Sequence, residues 1–296
     1  MADARVVEDG MHRQIAALID AQEPWAKPVG QKVQGWLAQI FDRYPREKDF
    51  LNGTWLGHPV HPVVTDVPVG AMTIAALLDV TGQKRAADVT VATGLAAMVA
   101  SAATGASDGV DAYGKPLILA TVHATLMVSS LTAYTASLAL RLGPRGGRPL
   151  AVLLSMAGYG ALTAGAYVGG DLVYKLGHQV DRHAFRSFGK KWKALDVREL
   201  PDGKLVKAIM GTEPLVLYRH DGEIRALHGQ CAHEGGPLDK GTIVDGCVQC
   251  PWHGSRFDLA DGHVRHGPAV YDQPRYDVRS TEDGGLEARP VGIEEG

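Results

Sequence analysis

All three cysteines of this 296-residue chain fall within twenty residues of one another. Cys231 and His233 stand one residue apart, and after sixteen intervening residues Cys250 and His253 stand two apart. A spacing that short lets each loop aim both of its side chains at one centre, so the four residues make a metal site of two thiolates and two imidazoles. Two Cys and two His are also a zinc set. Zinc sites of that kind normally keep the Cys pair and the His pair separate, often with the histidines on a helix. Here each loop carries one Cys and one His, which is the distribution needed when two thiolates serve one iron and two imidazoles a second. Three cysteines so close together are too few for a disulfide scaffold.

The stretch CPWHGSRFDLADG, from Cys250 to Gly262, closely resembles the second cluster-binding loop of the Rieske iron–sulfur family. CAHEGGPLDKG, from Cys231 to Gly241, resembles the first. The resemblance covers residues 192–293 and implies a [2Fe–2S] cluster. In that reading Cys231 and Cys250 ligate the buried iron, and His233 and His253 the iron nearer solvent. Gly235, Gly236 and Gly254 would let backbone amides approach the sulfides, with Trp252 and Ser255 beside them. Gly267-Pro268 resembles the proline-bearing loop that covers the cluster. Amide donors and imidazole ligands both raise the potential relative to plant-type ferredoxins. Family members in cytochrome bc complexes add a disulfide whose cysteines would fall at Gly236 and Trp252. Its absence points to the ferredoxin and oxygenase branch and to a reducing compartment. Cys247 is expected as a core thiol on a strand. His220, His228, His263 and His266 are expected to be exposed and outside the site.

The elements that must position these loops read as short strands. Leu215–Tyr218 and Glu223–Leu227 are bounded by turns, and Asp-Gly pairs at 202–203, 221–222, 261–262 and 283–284 mark repeated hairpins of a small all-β domain. Upstream the pattern changes. Val89–Ser107, Pro116–Leu140 and Pro149–Gly170 contain no charged residue, and Val63–Leu78 contains only Asp66. A helix needs roughly 20 apolar residues to cross a bilayer core. The fold class expected is therefore multi-domain: an all-α four-helix membrane domain over residues 50–180, then the all-β domain. Residues 1–49 precede it as an N-terminal segment and 181–191 form a basic linker. Arg182, Arg186, Lys190, Lys191 and Lys193 in and after that linker suit either anionic headgroups or plain solvation. Val33, Trp36, Leu37, Ile40, Phe41 and Tyr44 share one helical face, which suits an interfacial helix or one packed on the rest of the protein.

LGHPVHPVVTDVPVG (Leu56–Gly70), ATGASD (Ala103–Asp108) and YVGGDLVYKLGHQV (Tyr167–Val180) resemble an uncharacterised bacterial family of four-helix membrane domains. That family has no assigned chemistry to carry over. Ionisable residues at membrane depth are costly and often functional, which singles out His58, His61, Asp66 and His123. One reading has His61 and His123 holding a haem or a quinone headgroup. The favoured reading has His58 and His61 capping helix ends while His123 bonds a neighbouring helix.

The 30 basic and 33 acidic residues nearly balance, which gives no field for nucleic acid. No signal peptide is read in Met1–Gly10. Both termini are expected on one side of the cell's inner membrane. Lys84, Arg85, Arg141, Arg145 and Arg148 face Lys115, the basic linker and the flank of Arg43, Arg46 and Lys48. The count favours a cytoplasmic Rieske domain. The function expected is single-electron transfer between a membrane or cytosolic donor and a partner oxidoreductase. Redox sensing, a structural cluster, or electron delivery to a separate oxygenase are the alternatives, and self-association is left open. An oxygenase would need a mononuclear iron held by two histidines and a carboxylate, and Gly296 is expected to leave no room for that domain.

Overall fold

The computed structural model describes residues 10, 13–143, 147–197 and 199–291. The chain before Gly10 and the loop residue Arg145, both weighed above, lie outside the described residues. Two compact units emerge, one of Met1–Tyr44 with Val60–His178 and the other of Pro45–Pro59 with Gln179–Gly296.

The first unit is helical. Helix α1 (Glu23–Arg43) precedes four long apolar helices, α3 (Val60–Val80), α4 (Lys84–Gly109), α5 (Lys115–Leu142) and α6 (Arg148–Tyr174). Among the described residues these four are long and apolar enough to cross a membrane. Helices α3 and α4 pack as one close hairpin and α5 and α6 as another, while the two hairpins touch more sparingly. Small residues permit the close pairing. A Cβ at Gly158 on α6 would meet the Tyr134 ring of α5 at 2.9 Å. Ser130 and Ser137 on α5 donate to the Gly158 and Ala151 carbonyls of α6 at 2.8 and 2.6 Å.

At one end of the bundle Arg141 and Arg148 interlock with Asp79 and Asp88. Arg141 pairs with Asp79 and reaches Asp88 at 2.9 Å, and Arg148 reaches Asp88 at 2.7 Å and Asp79 at 3.1 Å. The side chains of Arg141 and Asp79 are fully buried. These two arginines, read from the sequence as loop charges, are thus internal ties between four helix ends.

Helix α1 does not pack through its most apolar face. Ala26 and Gly30 are buried, and Gly30 abuts Thr121 and Leu117 of α5. Gln34 continues that stripe and donates to the Val110 and Ala112 carbonyls, each at 2.7 Å. Val33, Trp36 and Tyr44 remain exposed.

The second unit begins with the short helix α2 (Pro45–Asn52) and is otherwise β structure. A six-stranded antiparallel sheet has the order β1-β10-β9-β4-β3-β2, made of β1 (Lys193–Ala194), β2 (Leu205–Met210), β3 (Glu213–His220), β4 (Glu223–His228), β9 (Arg275–Ser280) and β10 (Leu286–Val291). A four-stranded sheet runs β5 (Thr242–Val244), β6 (Cys247–Gln249), β7 (Arg256–Asp258), β8 (Val264–His266). The Asp-Gly pairs at 221–222 and 261–262 fall at the β3–β4 and β7–β8 turns, as their patterning suggests. Val216, Leu227, Leu238, Val248, Phe257 and Leu259 form a core directly beneath the Cys/His loops.

The linker differs from the solvated tether its charge suggests. Phe188 is buried in the core of the larger sheet against Met210, Leu217 and Tyr276. Arg182 pairs with Glu234, and Arg186 donates to Glu213 and to Gln230, each at 2.6 Å. Lys190, Lys191 and Lys193 are exposed.

Candidate metal centre

The two loops are built alike. In the first, Cys231 N–H donates to the Gly236 carbonyl at 2.9 Å, and Gly235 N–H returns to the Cys231 carbonyl at 2.9 Å. In the second, Cys250 N–H donates to the Ser255 carbonyl at 2.8 Å, and Gly254 N–H returns to the Cys250 carbonyl at 3.2 Å. Each ring closes because a glycine four residues after the cysteine adopts positive φ, +81° at Gly235 and +79° at Gly254, where a Cβ would be strained. The first loop follows β4, and the second joins β6 to β7.

Folding brings like donors together. His233 Nδ1 lies 3.2 Å from His253 Nδ1, a spacing suited to two nitrogens on one metal ion. The Cys231 and Cys250 thiols hydrogen-bond to each other, which pushes Cys231 well up and pulls Cys250 down to about 7. Both cysteines are buried and free of disulfides. Among the described residues no three His, Cys, Asp or Glu side chains gather around a single ion. Thiol beside thiol and imidazole beside imidazole fits a two-iron cluster and not a single tetrahedral ion.

The surrounding shell is tight. A Cβ at Gly236 would stand 2.7 Å from Cys250 Sγ and 3.1 Å from the Trp252 ring. Ser255 Oγ accepts the Ala269 N–H at 3.0 Å, which fastens the second loop to the segment holding buried Pro268. His233 is only 3% exposed. The outward edge is formed by half-buried His253 and by Trp252, which is 55% exposed. Cys247 lies on β6 facing inward, and burial raises its thiol.

Several contributors were not read from the sequence. Gln273 is buried and spans the first loop: its Oε1 accepts Ala232 N–H at 3.0 Å, while its Nε2 donates to the His228 and Gln230 carbonyls at 2.7 and 2.6 Å. His228 is wholly buried, not exposed as expected, because it ends β4 on the inward face. His263 and His220 are exposed, and His266 is half-buried against Asp49 of α2. No patterned spacing marks Gln273 or Asp49, since their partners lie far away in the chain.

In the helical unit, His61 and His123 come together, with ring centres 6.4 Å apart. Asp66 is exposed on α3, and His58 is exposed in the turn before it with Nδ1 on its neighbour's carbonyl. Neither is part of that pair.

A small β unit whose paired loops present two thiols and two imidazoles has the architecture of an iron–sulfur electron carrier. Residues 190–277 match the Rieske [2Fe-2S] domain, and residues 57–182 match a domain described as a predicted membrane protein (DUF2231). The chain therefore joins a Rieske domain, with the [2Fe–2S] cluster that it implies, to a DUF2231 domain. It is similar to apoptosis-inducing factor 3 of Mus musculus, 32% identical over 28% of this chain and 14% of that protein. It is also similar to the anthranilate 1,2-dioxygenase ferredoxin subunit of Burkholderia cepacia, 29% identical over 30% of this chain and 83% of that one. Among solved structures, the ferredoxin of carbazole 1,9a-dioxygenase from Nocardioides aromaticivorans IC177 aligns at 22% identity and a TM-score of 0.30, covering 33% of this chain and 95% of the other. The chain thus spans only a small share of the first of these relatives. The Rieske match and the sequence similarity to the ferredoxin subunit of Burkholderia cepacia support a role in electron transfer.

Proposed function

We propose that this protein is a membrane-anchored electron carrier in which Cys231 and Cys250 hold one iron of the cluster and His233 and His253 the other. The observation that carries this reading is the sorting of donors, imidazole against imidazole at 3.2 Å and thiol against thiol. Bound there, the cluster supplies a one-electron couple. The polypeptide fixes its ligands through the matched loop rings, excludes water with buried Ala232, Leu238 and Pro268, and offers Trp252 and His253 as the edge for a redox partner. The four apolar helices act as the anchor, and exposed Val33, Trp36 and Tyr44 lie in the headgroup region. The positive flank of Arg43, Arg46 and Lys48 supports a cytoplasmic Rieske side in the inner membrane. The likeness to a dioxygenase ferredoxin subunit favours an oxygenase or a similar oxidoreductase as acceptor.

The test is electron paramagnetic resonance on membranes carrying the full chain. A reduced-state signal with average g below the free-electron value, lost on Cys231→Ser or His253→Ala, is expected. A diamagnetic site containing zinc would overturn the proposal, and a fused reporter active only outside the cytoplasm would overturn the topology.

A further inference from the structure

The helical unit carries a pair of histidines that electron transfer through the Rieske domain does not use. His61 stands at the start of α3, and His123 lies two turns into α5. These helices belong to different hairpins, and the hairpins are the loosely joined halves of the bundle. The two rings meet across that seam with centres 6.4 Å apart and planes at 89°.

Each ring is oriented by its Nδ1. His123 Nδ1 lies 2.8 Å from the Gly165 carbonyl of α6, which can only accept, so Nδ1 carries the proton. His61 Nδ1 lies 3.0 Å from Thr104 Oγ1 of α4. That hydroxyl lies 3.0 Å from the Ser101 carbonyl, to which the His61 ring also bonds. With its proton on Nδ1, His123 keeps the lone pair on Nε2. A ring N–H given to a carbonyl or hydroxyl, with the second nitrogen left as donor, is the arrangement of metal-ligating histidines. Glycines make room for it. A Cβ at Gly105 would come within 2.8 Å of the His61 ring, and one at Gly169 within 3.1 Å of His123.

We propose that His61 and His123 are the axial ligands of a haem iron seated between the two helical hairpins. Nitrogens about 2 Å from a shared ion place two imidazoles on its opposite sides with ring centres roughly 6 Å apart, the separation found. Haem needs only two protein ligands because the porphyrin supplies the rest. A zinc ion would need more, and among the described residues no third His, Cys, Asp or Glu joins the pair. A quinone oxygen needs a donor, and the Nε2 of His123 has no hydrogen to give. Both rings are half-buried, so the seam is not sealed around them.

The test uses the full chain purified in detergent and titrated with haemin. A saturable low-spin, six-coordinate spectrum at one haem per chain is expected. His61→Ala and His123→Ala should each abolish it while leaving the reduced [2Fe–2S] signal unchanged, which shows that the protein has folded and keeps failure here separate from failure of the cluster assignment. His123→Met should restore six-coordination with a raised haem midpoint potential, which a purely structural histidine would not produce. No saturable low-spin spectrum, its survival in both alanine variants, or bound quinone in place of haem would each overturn the proposal.

Discussion

His183 Nε2 meets His228 Nδ1 at 2.9 Å, which ties the segment leaving the helical unit's sequence to the strand that leads into the first cluster loop. His228 Nδ1 also receives Gln230 N–H at 3.2 Å, while its Nε2–H donates to Glu213 at 3.0 Å. The ring is thus neutral, with two donors aimed at its lone pair.

Burial, with the adjacent His183, outweighs Glu213 and lowers His228 to about 4. The unfolded chain binds this proton at about pH 6.5, and the folded one only near pH 4. Stability from this group is therefore complete above about pH 6.5 and falls as pH drops towards 4, by on the order of 3 kcal/mol in full. Burial works to raise Glu213, but its bond to His228 and the Arg186 charge hold it below the usual carboxylate range, so it adds a loss of the same sign at lower pH. Thermal bleaching of the cluster absorbance across that range should show the slope, and His228→Gln should flatten its upper part. A slope unchanged in that variant would refute the assignment.

Gln273→Leu removes three buried hydrogen bonds and leaves Ala232 N–H and two carbonyls without their partner. Each orphaned group costs about 1–3 kcal/mol. Iron and sulfide per chain should fall several-fold. Gln273→Glu, which keeps the acceptor for Ala232, should fall between that variant and the parent protein.

Gly236→Ala places a Cβ 2.7 Å from Cys250 Sγ in a loop that cannot yield without moving Trp252. Cluster content should drop sharply. Gly35→Ala on α1, where nothing lies within 4 Å, should leave it unaltered. Equal iron content in both variants would show that the site is looser than described.

Asp49 binds the far end of the β unit to α2, with Oδ2 at 2.6 Å from His266 Nδ1 and Oδ1 accepting Gly267 N–H at 2.8 Å. Asp49→Ala should cost about 1–3 kcal/mol. It should also speed tryptic cleavage after Arg46 and Lys48 while the bundle stays intact, and unchanged cleavage kinetics would argue that α2 is held by other contacts.

Arg141→Met leaves Asp79 buried against a single remaining arginine. Breaking one side of a buried pair costs about 3–5 kcal/mol. Denaturation of the detergent-solubilised protein, followed by helical circular dichroism, should shift accordingly. Adding Asp79→Asn should recover part of the loss.

Much of this protein is decided within short reaches of chain. The cluster loops are legible because each is a closed ring within six residues, with Cys, His and glycine at spacings that backbone geometry demands. The four long apolar helices are legible because their composition stays almost free of charge over about twenty residues, without regard to partners. The rest depends on neighbours that sequence order does not reveal. Gln273 reaches Ala232 across 41 residues, His183 reaches His228 across 45, and Asp49 reaches His266 across 217. A polar residue in a strand or linker looks exposed until packing surrounds it and requires a hydrogen bond in place of water. For the same reason the sequence named His61 and His123 as candidates but could not orient them. Only the packing of α4 and α6 against the two rings set Thr104 beside His61 Nδ1 and put the proton of His123 on Nδ1, facing the Gly165 carbonyl.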